Sequence, residues 1–258
     1  MPIEKQFISF YTILRKGVMR ILRIWSQTLL PSLITSLLYF TVFGNILGSR
    51  IGELNGVPYI LFVVPGLVML AVVTNSYMDV ATTFFVSKFF SRNIDEILVS
   101  PTPPVIIIAG FIASGVVRGM LVGLLVLIVS LFFALPSVAH PLVVLLFLFL
   151  SSLVFALGGL INGIYAKTFD GISIVPTFVL TPLVYLGGVF YSIHSLPPLW
   201  QTVSMFNPIF YIINGFRYGF LGTADISIYT CIGVLLALML ALLAANIYYL
   251  KKGLGLKQ

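Results

Sequence analysis

The chain has 258 residues, 60% of them hydrophobic and 8% charged, and its mean hydropathy is +1.14. No water-soluble domain buries that much apolar surface, so a lipid bilayer is the solvent for most of the chain. The net charge of +7 does not point to nucleic acid, because the lysines and arginines flank hydrophobic runs, where orientation in a membrane explains them.

At the N-terminal end, Ile3, Phe7, Phe10, Tyr11, Leu14, Val18, Ile21, Leu22 and Trp25 fall within roughly 120° of one another on a helix. Lys5, Lys16, Arg20 and Arg23 project on the opposite side, with Arg15 at the border. The pattern predicts a helix over about 3–24 that lies in the headgroup layer on the cytoplasmic side. The basic segment is longer than the n-region of a signal peptide and the apolar run behind it is long enough to span, so this run is expected to stay in the mature protein.

Six apolar runs follow, predicted as spans at about 25–47, 59–80, 105–134, 141–165, 172–191 and 226–249. The fold class is therefore an all-α integral membrane protein. A β-barrel would show segments of about ten residues alternating in polarity. The domain organisation reads as an interfacial helix (1–24), a six-span transmembrane domain (25–250) and a cytoplasmic tail (251–258). With both ends on the cytoplasmic side, eleven of the fourteen basic residues lie inside, leaving Arg50 and Arg217 outside and Arg118 within a span.

Two connections are too apolar or too patterned to be simple loops. Between spans 2 and 3, Phe89, Phe90, Asn93, Ile94, Ile97 and Leu98 recur at helical spacing, which predicts a short amphipathic cytoplasmic helix over about 87–100. Pro101, Pro103 and Pro104 end it and give span 3 a rigid corner. The outer connection, 192–225, carries Trp200, Phe206, Phe210, Tyr211, Phe216, Tyr218 and Phe220. Ser195 is expected to cap a first short helix, and Asn207-Pro208 has the form of a cap with proline at the first helical position. Two arrangements fit: a hairpin re-entering the membrane from outside, or an aromatic cap lying flat on it.

Ionisable groups inside spans are few and costly, about 2.5–3.5 kcal/mol each. Arg118 interrupts span 3 beside Gly115, Gly119 and Gly123, a small-residue face that lets another helix approach. It reads either as a group lining a path or as half of a buried structural pair. Asp79 shares a polar stripe of span 2 with Asn75, Ser76, Thr82 and Thr83, expected to face a crevice open to the cytoplasm. Their depth and opposite charge predict that Asp79 and Arg118 are neighbours.

Other chemistries find no support. No phosphate loop of the Gly-x-x-x-x-Gly-Lys-Ser/Thr type occurs, the single cysteine, Cys231, sits in the last apolar run, and His140 and His194 stand apart as interfacial polar residues. No metal site, bound cofactor or enzymatic activity is expected of this chain.

The organisation resembles the ABC-2 type transporter permease family, in particular its YadH-like bacterial members, over nearly the whole chain. The helix before span 1 is similar to the family's connecting helix, and Phe89–Pro101 to its coupling helix. Arg118 in Val117-Arg-Gly-Met-Leu-Val-Gly123 matches a span 3 arginine, and Asn207-Pro-Ile-Phe-Tyr-Ile-Ile-Asn-Gly-Phe-Arg217 matches the Asn-Pro-x-x-Tyr signature. The resemblance implies a six-span subunit of an exporter in the bacterial inner membrane. Such a subunit pairs with a second copy and with two cytoplasmic ATPase subunits, which carry the ATP and magnesium. It further implies that Arg92, Asn93, Ile94, Asp95, Glu96 and Leu98 contact the ATPase, and that Asn207, Pro208, Tyr211 and Arg217 shape the outer hairpin. Ser91 stands where many members have an acid. The alternatives are an ion-coupled secondary transporter, for which no internal repeat or carboxylate chain was found, and an integral-membrane assembly protein.

Overall fold

The computed structural model describes residues 2–54, 56–91, 93–135 and 138–255. Helix α1 (Ile3–Arg23) comes first, and the chain turns at Ile24, whose backbone (φ −114°, ψ 36°) is not helical. There follow α2 (Trp25–Ile51), α3 (Tyr59–Phe89), the short α4 (Asn93–Val99), α5 (Pro104–Ser130), α6 (Pro141–Tyr165) and α7 (Phe169–Leu186). Two short helices, α8 (Pro198–Met205) and α9 (Pro208–Leu221), precede α10 (Ile228–Lys252). Among the described residues, six helices, α2, α3, α5, α6, α7 and α10, are long and apolar enough to cross a membrane. Between α2 and α3 the strands Glu53–Leu54 and Val57–Pro58 pair antiparallel.

Several boundaries differ from the sequence reading. Helix α3 continues to Phe89, because Phe84, Phe85, Ser87 and Lys88 are buried against neighbouring elements and nothing breaks the helix there. Residues 87–89 thus belong to a span, and the cytoplasmic helix shrinks to Asn93–Val99. Helix α7 starts earlier, at Phe169, where the Thr168 side chain accepts from Gly171 N at 3.1 Å. It ends at Leu186, since Gly188 adopts φ +79°; the glycine pair stops the span rather than bending it.

The core is built on α3 and α6, whose apolar windows are 72% and 67% buried, whereas α2 and α10 are 11% buried and form the periphery. Glycines set the central distances. A Cβ on Gly119 would overlap Ser76 Oγ and come within 2.6 Å of Ser152 Oγ, so the small-residue face of α5 meets α3 and α6 together. A Cβ on Gly159 would collide with the Tyr77 carbonyl oxygen, which puts α6 directly on the α3 backbone.

Helix α1 packs on α5 along a line through Gly17 and Ile21, and a Cβ on Gly17 would lie 2.5 Å from Ser114 Cβ. That line runs along one edge of the apolar stripe, to which Ile21 belongs, roughly 55° from its centre. Phe7, Tyr11, Leu22 and Trp25 therefore remain exposed, and Arg20, expected on a solvated face, is turned partly into the protein.

Candidate functional site

Four helices meet at one buried carboxylate. Asp79, on α3, is fully enclosed. Its Oδ1 accepts from Arg20 Nη2 of α1 at 2.6 Å and from Arg118 Nη1 of α5 at 3.2 Å, while Oδ2 accepts from Ser114 Oγ at 3.3 Å. Arg118 Nη2 also donates to the Thr28 carbonyl and to Asn75 Oδ1, both at 3.2 Å. Asn75 in turn donates from Nδ2 to Ser32 Oγ of α2 at 3.0 Å.

The neighbourhood of Asp79 and Arg118 is thus a hub that includes Asn75. Asp79 itself is enclosed, with Arg20 and Arg118 packed on it, while Thr83 of the same stripe lines a cavity. Arg20 was expected on the polar face of α1, away from Asp79, and Thr28 and Ser32 were not singled out. A helical wheel reports polarity about a helix's own axis and cannot tell which neighbour a long side chain will reach. Gly17, small among large residues, is the one local signal that α1 lies close against another helix.

Two guanidinium groups share one carboxylate, so the cluster keeps one surplus positive charge. Arg20 Nε and Arg118 Nε are buried and have no hydrogen-bond partner. Such a cluster holds α1, α2, α3 and α5 in one register, since removing any member leaves another charge or dipole unpaired in a poorly hydrated place.

The short helix α4 hangs between α3 and the proline corner. Ile94 is 1% exposed and packs with the buried cluster that contains Phe84 and Ile107, so it anchors α4 rather than offering itself to a partner. Leu98 packs partly on the same cluster. Glu96, Phe90 and Val99 are exposed, the last at 87%. Arg92 lies outside the described residues, as do the side chains of Asn93 and Asp95. At the corner, Ser100 Oγ donates to the Ile97 carbonyl at 2.6 Å, and Pro103 and Pro104 start α5.

Lys88 falls within the cytoplasmic helix expected over about 87–100. It is instead buried at the end of α3, where Nζ donates to the carbonyl of Ile164 at 2.9 Å and to that of Gly255. The base of α4 is thereby tied to the end of α6 and to the C-terminal tail.

In the other connection, Asn207 caps α9. Its Oδ1 accepts from Ile209 N at 3.0 Å, Pro208 takes the first helical position, and Nδ2 donates to the Leu183 carbonyl of α7 at 2.5 Å. Ser195 caps nothing; its hydroxyl donates to the Ser192 carbonyl, and Pro197 stands at the start of α8 without a side-chain cap. Tyr211 OH donates to the Met205 carbonyl at 2.7 Å, joining α9 to α8.

Arg217 is 5% exposed, which charge counting gave no reason to expect. Nη2 donates to the Gly188 carbonyl at 2.7 Å and its guanidinium carbon lies 3.8 Å from the Phe62 ring centroid. Burial pulls its pKa down to about 10, opposed by Asp225, so the group keeps its charge at neutral pH. Asn214, also missed, clasps the following loop: Oδ1 accepts from Asp225 N at 2.8 Å and Nδ2 donates to the Ile226 carbonyl at 3.1 Å.

Comparison with known proteins bears directly on this arrangement. The ABC-2 type transporter family matches residues 8–221, a stretch that holds most of α1, the charge hub, α4 and the Asn207 hairpin. The chain belongs to the ABC-2 type transporter family. Within the family it is similar to the inner membrane transport permease YadH of Escherichia coli (strain K12), with 52% identity over 252 residues, 97% of this chain and 98% of the relative. It is also similar to nodulation protein J of Rhizobium meliloti (strain 1021), 26% identical over 225 residues, 82% of each chain. Nodulation protein J of Rhizobium leguminosarum bv. viciae is 24% identical over 225 residues, covering 82% of this chain and 83% of the relative. With its six apolar helices, this ABC-2 family member is a multi-pass inner-membrane transport permease.

Proposed function

We propose that the chain is the membrane subunit of an ATP-driven exporter, a homodimer that takes its energy from two copies of a separate cytoplasmic ATPase. The observation that carries this reading is α4. It is fixed on one side by Ile94, stiffened behind by the proline corner, and exposes Phe90, Glu96 and Val99 on the other side. A short helix so mounted passes a push from a soluble partner into α3 and α5 at once, and the charge hub spreads that push to α1 and α2.

In this account both termini are cytoplasmic. The exposed Phe7, Tyr11, Leu22 and Trp25 of α1 rest in the headgroup layer. The α8–α9 hairpin re-enters from the outer face, supported by the burial of Arg217 and by the Asn207 bridge to α7. Glu96 and Leu98, together with Arg92, Asn93 and Asp95, form the ATPase contact. Ion coupling is less well supported, because Asp79 is engaged by two arginines and has no vacancy for a coupling cation.

The test is co-expression with an ATPase carrying a phosphate loop, followed by purification through a tag on this chain. A stable complex with ATP hydrolysis is expected. Loss of the complex on Glu96→Lys with unchanged melting temperature supports the α4 contact. No complex with the wild-type chain refutes the reading.

A further inference from the structure

A cavity of about 980 Å³ lies between α1, the C-terminal end of α3, α4 and the start of α5. Its α1 wall carries Arg15, Lys16, Arg20 and Arg23, and among the described residues lining it the one acid is Glu96, on α4. Behind Arg20 stands the hub, where Arg118 also competes for Asp79. Counting both layers, Arg15, Arg20, Arg23 and Arg118 stand with two acids. Arg15 and Arg23 are exposed, while Arg20 and Arg118 lie deeper in the protein, where like charges repel more strongly.

The walls also carry hydroxyls, Ser87 and Thr102 among them, and an apolar side with Met19 and Phe111. Tyr11 lines the cavity and is itself half exposed, so the pocket runs into the uncovered apolar stripe of α1. Convergent guanidinium groups and hydroxyls bind phosphate oxygens through charge-assisted hydrogen bonds. An apolar surface at the mouth accepts what the phosphate is attached to.

We infer that this cavity binds the phosphate headgroup of an anionic lipid, its acyl chains leaving along the Phe7–Tyr11 side of α1. The bound phosphate offsets the surplus charge of the hub and offers Arg20 a partner other than Asp79. Lipid binding then loosens or tightens the tie between α1 and α3. The inference does not rest on the ATPase reading, because its readout is binding alone.

The full chain in detergent is titrated by native mass spectrometry with dioctanoyl phosphatidic acid, dioctanoylglycerol and inorganic phosphate. Arg15 and Arg23 are exposed and outside the hub, so Arg15→Gln/Arg23→Gln is the variant of choice. Phosphatidic acid is expected to bind at least tenfold more tightly than dioctanoylglycerol, and the double variant to lose about tenfold while its melting temperature stays at the wild-type value. Displacement of the lipid by inorganic phosphate only in large excess supports a lipid occupant. Inorganic phosphate binding as tightly as phosphatidic acid overturns the lipid source. Equal binding of dioctanoylglycerol, or equal binding of phosphatidic acid by wild type and double variant, overturns the site.

Discussion

Replacing Asp79 by alanine removes the single carboxylate that two guanidinium groups share. Arg118 is 15% and Arg20 31% exposed at the side chain, so the first loses its counter-charge in near-complete burial and the second recovers part of its hydration from the cavity. Breaking a buried pair by deleting one partner costs about 3–5 kcal/mol, and here the Arg20 share lies at the low end. Arg20→Gln leaves Asp79 paired with Arg118 and costs about 1 kcal/mol; Arg118→Gln also strips Asn75 and the Thr28 carbonyl of their donor and costs about 2–3 kcal/mol. The chain's one cysteine, Cys231, is fully buried, so a thiol-reactive dye reports unfolding in detergent without any added label. The melting temperature of Asp79→Ala is expected to fall on the order of 10 °C, and of Arg20→Gln by about 2–4 °C. Double variants should be strongly non-additive, and exchanging the charges at Asp79 and Arg118 should restore part of the loss. A melting temperature for Asp79→Ala within about 1 °C of wild type, or plain additivity, would refute the hub.

Gly159→Ala forces a Cβ into the Tyr77 carbonyl and should cost about 1–3 kcal/mol, whereas Gly233→Ala, with nothing within 4 Å, should be neutral or slightly stabilising; the same dye assay separates them. Asn207→Ala removes both the cap on Ile209 N and the bridge to Leu183, and is expected to lower stability by about 1–2 kcal/mol, with Tyr211→Phe costing less. For Arg217, a folded pKa lowered to about 10 means that the folded state binds fewer protons only between that value and the higher ordinary one, where stability rises with pH. The difference in melting temperature between wild type and Arg217→Gln should therefore stay constant from about pH 6 to 9, and a slope in that range would show that the guanidinium titrates far lower.

Solvent made most of the fold legible. Hydrophobic runs and the positions of lysine and arginine are one-dimensional signals, so the six crossings could be read without knowing any neighbour. Asp79 and Arg118 could be matched because charges are scarce in such runs and each needs a partner. Asn207-Pro208 could be read as a cap because its chemistry is local. What remained hidden depended on packing. The packing of α1 on the edge of its stripe, the reach of Arg20, the burial of Ile94 and the turn of Lys88 toward Ile164 follow from which helix lies alongside, and periodicity does not encode that. The burial of Arg217 against Phe62 was hidden for the same reason: its helix could be read from the sequence, but not the ring it packs on.

The central claim is that α4 is where an ATPase grips this permease. Photo-reactive residues placed singly at Glu96 and Val99, with a control at Arg50 near the opposite end of the bundle, test it in cells that co-express the ATPase. The account predicts a covalent adduct to the ATPase from positions 96 and 99 and none from position 50. An intact complex that crosslinks from neither α4 position would contradict it.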